Sequence, residues 1–140
     1  MCLFFLTGCS DSSAVSENNA IFSENVKAIS EDTITLNELA TFEWDIMYSF
    51  IPFTPKKDIE EIIGISSRET RATYNEAQFQ MIFVKDKKVV CSIMGYSNNY
   101  GYFVSFGKYD GVYLAIRYDE VATFEVENNE TEILLTYTTE

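Results

Sequence analysis

Trp44-Asp45-Ile46-Met47-Tyr48-Ser49-Phe50 is the stretch that decides the fold. Trp44, Ile46, Tyr48 and Phe50 alternate with Asp45, Met47 and Ser49. Successive side chains of a strand point to opposite faces, so this period of two predicts a strand with one buried face. Pro52 and Pro55, the 2 prolines of the chain, punctuate its end. A helix should follow. Thr54 suits the N-cap, Pro55 the first helical position and Gly64 the residue past the end. Ile59, Ile62 and Ile63 fall at i, i+3 and i+4 and would form its buried stripe. Lys56, Asp58, Glu60 and Glu61 would face water, with Lys56 and Lys57 opposing the helix dipole at small cost.

Toward the C-terminus, residues 65–76 are polar and read as a loop. Phe79, Met81 and Phe83 alternate with Gln78 and Gln80. Lys85-Asp86-Lys87-Lys88 reads as a charged turn, and Val89, Cys91 and Ile93 return on one face. Gly95 through Gly101 reads as a loop, 102–106 as a strand and 108–111 as a turn. Val112, Leu114 and Ile116 mark a further strand. Val121 to Val126 and Glu132 to Thr138 predict a last hairpin around Asn128-Asn129. Toward the N-terminus, Thr35-Leu36-Asn37-Glu38 matches a capping box that opens a helix of a turn or two. Strands joined by short turns imply antiparallel pairing. The expected class is α+β, an antiparallel β-sheet with one or two short helices packed on one face. A barrel-like closure is the alternative.

At the extreme N-terminus, a short apolar run, Cys2 to Leu6, meets Leu6-Thr7-Gly8-Cys9. The run is far shorter than the roughly 20 apolar residues that span a bilayer. Small residues precede Cys9, and a polar stretch from Ser10 to Asn19 follows it. This arrangement resembles a bacterial lipobox, the site at which a lipoprotein precursor is acylated and cut. The resemblance implies lipidation of Cys9 by acyl chains such as palmitate. The membrane would then be a partner, through a lipid anchor on the extracytoplasmic face. A secretory leader also carries a positive n-region. No Lys or Arg precedes the apolar run, so Met1 reads as an internal start with an n-region upstream. The expected division is a signal-peptide remnant over 1–8, the lipidated cysteine and a flexible tether over 9–33, and a single α+β domain over 34–140. A short element near 22–29 fits within the tether.

The chain has 140 residues, one domain's worth, and a formal net charge of -12. An acidic surface argues against nucleic acid, whose binding rests on Lys and Arg. With Cys2 and Cys9 in the leader, Cys91 stands alone in the body, inside an apolar alternating segment. It reads as a small buried hydrophobe. The chain contains no His, which removes Ser-His-Asp and Cys-His nucleophiles and the common zinc sites. No Gly-rich phosphate loop and no EF-hand run is present, so no catalytic residue, metal or cofactor is expected. Glu60-Glu61 and Asp119-Glu120 are sequence neighbours, and such pairs usually solvate a helix face or a turn. A carboxylate hydrolase is therefore the weakest of the functional readings. Asn129-Glu130-Thr131 reads as turn chemistry.

Aromatic residues crowd the region from Tyr96 to Tyr118. Tyr96, Tyr100 and Tyr109 fall on expected loops, beside Asn98 and Asn99. Tyrosine offers rigid, amphipathic contact area, so these five residues are the candidate ligand-binding set, for a glycan or an extended peptide. The opposing reading is that strand aromatics fill the core and loop aromatics cover its edges. Trp44 is expected in the core, and Asp45 in solvent or capping a turn.

The block Trp44 to Thr54, followed by Asp58 to Gly64, resembles a segment of small uncharacterised bacterial lipoproteins. It supports the lipoprotein reading and transfers no catalytic residue. The expectation is a non-enzymatic, membrane-anchored module that binds an envelope protein or glycan. An inhibitor or assembly factor for one envelope protein is the alternative.

Overall fold

The structure, a computed structural model, describes residues 3–107, 109 and 111–138, with side chains from residue 13 onward. The protein is α+β, as expected, but it holds two four-stranded sheets instead of one. In chain order the elements are α1 (Leu3–Lys27), β1 (Thr33–Thr35), α2 (Leu36–Leu39), β2 (Ile46–Phe50) and α3 (Lys56–Ile63). After these come β3 (Gln78–Lys85), β4 (Lys88–Tyr96), α4 (Ser97–Tyr100), β5 (Tyr102–Ser105), β6 (Tyr113–Arg117), β7 (Thr123–Asn128) and β8 (Ile133–Thr138). One sheet has the order β1-β7-β8-β5 and the other β4-β3-β2-β6.

The expected hairpins form. β3 and β4 pair antiparallel, and Asp86 and Lys87 turn the chain with φ of 51° and 63°. Positive φ at both central residues matches the right-handed twist of the flanking strands. β7 and β8 also pair antiparallel. β5 breaks the antiparallel rule: it lies parallel to β8, with Tyr102 opposite Ile133. The intervening chain is long enough for the crossover a parallel pair needs.

The second sheet is buried on both faces, which corrects the one-sided reading of Trp44 to Phe50. Met47 and Ser49, on the face expected to be wet, are fully buried. Met47 joins Trp44, Phe79, Met81, Phe83, Tyr102 and Phe124 in the main core between the sheets. On the opposite face, Phe50, Ile82 and Val84 pack against Ile59 and Ile63 of α3. Each such aliphatic residue contributes about 1.5–3 kcal/mol on full burial. A central strand covered on both sides needs apolar groups on both, and period two then marks only one of them.

α3 begins one residue later than expected. Pro55 is the N-cap, with no side-chain bond, and the Thr54 hydroxyl donates instead to the Ile51 carbonyl at 2.8 Å. Gly64 ends the helix at φ 78°, a left-handed conformation that glycine adopts without Cβ strain. The capping box at α2 forms as read: Thr35 Oγ1 accepts from the Glu38 amide, and Glu38 Oε1 from the Thr35 amide, both at 3.3 Å.

The largest correction concerns the expected tether over 9–33. Residues to Lys27 belong to α1, and Val15, Phe22 and Val26 are buried in the domain. Phe22 lies 5.9 Å from the Phe83 ring and 6.3 Å from Tyr102, between centroids. The buried stripe also holds Asn18 and Asn19, which bond the outer edge of β4. Asn18 Nδ2 donates to Val90 O at 2.8 Å, and the Ser92 amide donates to Asn19 Oδ1 at 2.9 Å. Two amides in the stripe break its apolar period, so the helix is hard to see in the sequence. Among the described residues no helix is long and apolar enough to cross a membrane. The side chain of Cys9 lies outside the described residues.

Candidate functional site

The five residues of the candidate binding set do not converge. The segment from Gly95 to Gly101 is not an open loop, because Ser97–Tyr100 turns as α4. Asn98 and Asn99 are exposed on that turn. Tyr100 is committed to the fold. A Cβ placed on Gly95 would stand 2.7 Å from the Tyr100 ring, so that ring lies directly over the glycine. Its hydroxyl donates to Met94 O at 3.3 Å, and its ring packs on Phe79 at 5.6 Å. Tyr96 is partly exposed and accepts from Asn75 Nδ2 at 3.0 Å. Tyr109 sits elsewhere: it is half-buried, and its hydroxyl shares a 2.8 Å hydrogen bond with that of Ser49. Burial raises the Tyr109 phenol above the ordinary tyrosine range, and the Ser49 bond partly offsets the rise.

Tyr109 does line a cleft. Residues of both sheets, from the ends of β2 and β3 and from β5, border an open space of about 380 Å³. Three separate segments build it. The end of β2 and its exit supply Phe50, Ile51 and Pro52. The approach to β3 supplies Glu76, Gln78, Phe79 and Gln80. β5 and its exit supply Phe103 to Gly107. Five aromatic residues border the space: Phe103 and Tyr109 are half-exposed, Phe79 and Phe106 are buried beneath them, and Phe50 borders it from β2 with its ring on the α3 face. Phe103 is half-buried and meets Phe79 edge-on at 5.3 Å. Phe106 is anchored from behind by Phe124 at 5.8 Å.

The polar groups of the cleft are held in place. Gln80 is 3% exposed. Its Oε1 accepts from the Phe50 amide at 3.3 Å, and its Nε2 donates to Arg71 O. That clamp ties β3 to the end of β2 and to the loop before β3. Gln78 Oε1 accepts from the Tyr74 amide at 2.6 Å, which fixes the rim. Glu76 stands exposed beside it. A concavity that combines apolar surface with a few fixed polar groups can hold a small ligand, and the exposed lining here is of both kinds.

Other chemically notable groups serve the fold. Cys91 is fully buried, and its thiol donates to Asn19 Oδ1 at 3.1 Å. Burial drives this thiol far above its ordinary pKa, so it is neither thiolate nor nucleophile. Glu60 accepts from the Ser67 amide at 3.0 Å and pairs with Lys56 at 3.1 Å. The Ser67 amide, then Lys56, hold its carboxyl below the usual range. Lys56 also donates to the carbonyls of Ser67 and Thr70, so it pins the loop after α3. Asp45 is exposed and caps the β3–β4 turn through the Asp86 amide at 3.1 Å. Trp44 is buried, and its indole donates to Ala40 O at 3.3 Å.

The sequence reading missed Phe50, Phe79 and Phe103 as cleft residues, because in sequence they look like ordinary strand aromatics. Pro52 directly after the strand marked by Trp44 to Phe50 was the one local sign that the chain leaves the sheet there. No protein-family model, no curated protein and no solved structure matches the chain.

Proposed function

We propose that the chain is a non-enzymatic binding module, held by acyl chains on Cys9 at the outer face of a bacterial membrane, that takes a glycan segment of the envelope into the inter-sheet cleft. The observation that carries this reading is the cleft, preformed and bordered by the half-exposed Phe103 and Tyr109, with Gln78 and Glu76 at its rim. Ring faces stack on the C–H faces of sugars, and amide and carboxylate groups bond their hydroxyls. The Gln80 clamp keeps the opening organised without ligand, which lowers the ordering cost of binding.

The lipobox Leu6-Thr7-Gly8-Cys9 supports the anchor. Val15 is already buried, so at most the few residues between it and Cys9 act as a spacer. As part of α1 they rise about 1.5 Å each, about 9 Å from Cys9 to Val15. The domain would sit close to the headgroups, and its -12 charge would repel an anionic surface. Acyl chains, at about 0.8 kcal/mol per buried CH₂, would supply the hold. The non-enzymatic reading draws on the missing histidine, the protonated buried Cys91 thiol, and the lowering of the Asp45 and Glu60 carboxyls where a general acid needs raising.

The test is a titration of the isotope-labelled chain, carrying Cys9→Ser for solubility, with soluble glycan strands released from bacterial envelopes. Amide shifts at Gln78, Phe103 and Ser105 are expected. Phe103→Ala should weaken binding about tenfold, which corresponds to about 1.4 kcal/mol, while unfolding stays cooperative. Absent shifts at millimolar glycan, or affinity indifferent to Phe103→Ala, would overturn the reading.

A further inference from the structure

A sheet edge carries backbone donors and acceptors with no neighbouring strand. Two of the four edges in this protein carry side-chain partners. β4 is bonded by Asn18 and Asn19 of α1. β1 is three residues long, and Glu38 takes the Thr35 amide. β5 is open where it borders the cleft, which leaves its edge to the site proposed above. β6, at the end of the order β4-β3-β2-β6, is the remaining one.

The phase of the β2–β6 ladder shows which groups of β6 are open. The Ile51 amide donates to Val112 O at 3.0 Å, and the Tyr118 amide donates to Asp45 O at 2.9 Å. In an antiparallel pair, alternate residues share the inter-strand bonds. Residues 112, 114, 116 and 118 therefore face β2, and 113, 115 and 117 face outward. Arg117 is closed by its own turn: its amide donates to Glu120 Oε1 at 2.9 Å, and its carbonyl accepts from the Glu120 amide at 3.0 Å. Tyr113 and Ala115 lack such a cap among the described residues, and both are half-exposed.

Beside the Tyr113 end lies a groove of about 350 Å³, separate from the cleft. Its apolar surface includes Ile51, Pro52, Ile62 and Val112, and Asp58 and Glu61 of α3 stand on its wall. Tyr113 packs on this same side of the sheet, 5.7 Å from Phe50. Phe53, at the groove, is 67% exposed and held at φ 71°, a left-handed conformation unusual for a non-glycine residue.

We propose that the open edge of β6 docks an extended basic peptide segment of another protein. The segment adds a fifth strand to the sheet, bonds the Tyr113 and Ala115 backbone, and seats an apolar side chain in the groove. A basic neighbour of that side chain meets Asp58 and Glu61. Strand addition draws affinity from main-chain bonds and specificity from pockets for alternate side chains, and this edge offers both. The charge selects the occupant. A second copy of the chain would bring another -12 and its own Asp58 and Glu61 to the contact. A glycan lacks the alternating donors and acceptors that the edge presents.

The test is fluorescence anisotropy with a labelled ten-residue peptide alternating Lys and Val, and with the same peptide N-methylated on alternate residues. The plain peptide should bind, and shift the Val112, Tyr113 and Ala115 amides. The N-methylated peptide should bind at least tenfold more weakly. Ala115→Pro, which removes an outward N–H and no ladder bond, should weaken the plain peptide similarly. So should Asp58→Lys with Glu61→Lys, two exposed positions whose replacement leaves the core untouched. Equal binding of the N-methylated peptide, shifts confined to other edges, or concentration-dependent self-association through β6 would overturn the proposal.

Discussion

The side-chain oxygen of Asn19 lies 2.9 Å from the Ser92 backbone nitrogen and accepts its hydrogen bond. With Asn18 on Val90, it gives the edge of β4 the partners that a neighbouring strand would otherwise supply. The same oxygen accepts from the buried Cys91 thiol. α1 is therefore joined to the sheet by polar bonds at its middle and by Phe22 and Val26 beyond them.

Asn19→Leu removes the acceptor and leaves the Ser92 amide covered but unbonded. An unsatisfied backbone donor costs about 1–3 kcal/mol. Urea unfolding should show that loss in midpoint with an unchanged slope. Asn19→Asp keeps an acceptor and should lose less.

Phe22→Ala should cost about 3–5 kcal/mol, the range for truncating a buried phenylalanine. The ring is fully buried between the sheets. Deleting residues 1–8, in contrast, touches none of the buried side chains described in α1 and should leave the urea midpoint within error. Resistance of the 13–27 segment to limited proteolysis gives a second readout. A tether would be cut first.

Gly64→Ala should destabilise by about 1 kcal/mol through backbone strain alone. A Cβ there meets nothing within 4 Å, so crowding is not the cause. Thermal unfolding measures the change, and Gly64→Asn should recover part of it because Asn tolerates the left-handed region.

Acid should weaken the fold through Asp45 and Glu60. Both carboxyls are held below their ordinary values of 3.8 and 4.5, chiefly by backbone amides of Asp86 and Ser67. A lowered carboxyl stabilises the native state above the unfolded value, and that stabilisation is lost as pH falls through the folded value. Stability measured from pH 6 down to about 2 should therefore fall across and below the ordinary carboxyl range. Glu60→Gln should flatten part of the fall. Asp45 is exposed and Glu60 partly so, so high salt should reduce the Lys85 contribution and, to a lesser degree, that of Lys56.

Local signals in this sequence proved legible where one element satisfied itself. The Thr35–Glu38 capping box, the Ile59–Ile63 stripe with Gly64 behind it, and the β7–β8 hairpin all follow from residues within a few positions. Signals set by distant packing did not. Met47 and Ser49 are buried because α3 and the other sheet cover both faces of β2. α1 hides because Asn18 and Asn19 occupy its buried stripe. Tyr100 looked like a ligand contact, yet it covers Gly95 across the bend of α4. Of the candidate binding set, only Tyr109 lines the cleft. The rest of the cleft comes from three segments far apart in sequence that only the packing of the two sheets brings together.

The most direct measurement is the mass of the N-terminal peptide of the mature protein, isolated from the membranes of its own host. The account predicts Cys9 as the first residue, carrying the added mass of its acyl chains, with residues 1–8 gone. An unmodified Cys9 thiol in a chain that still carries those residues would contradict it.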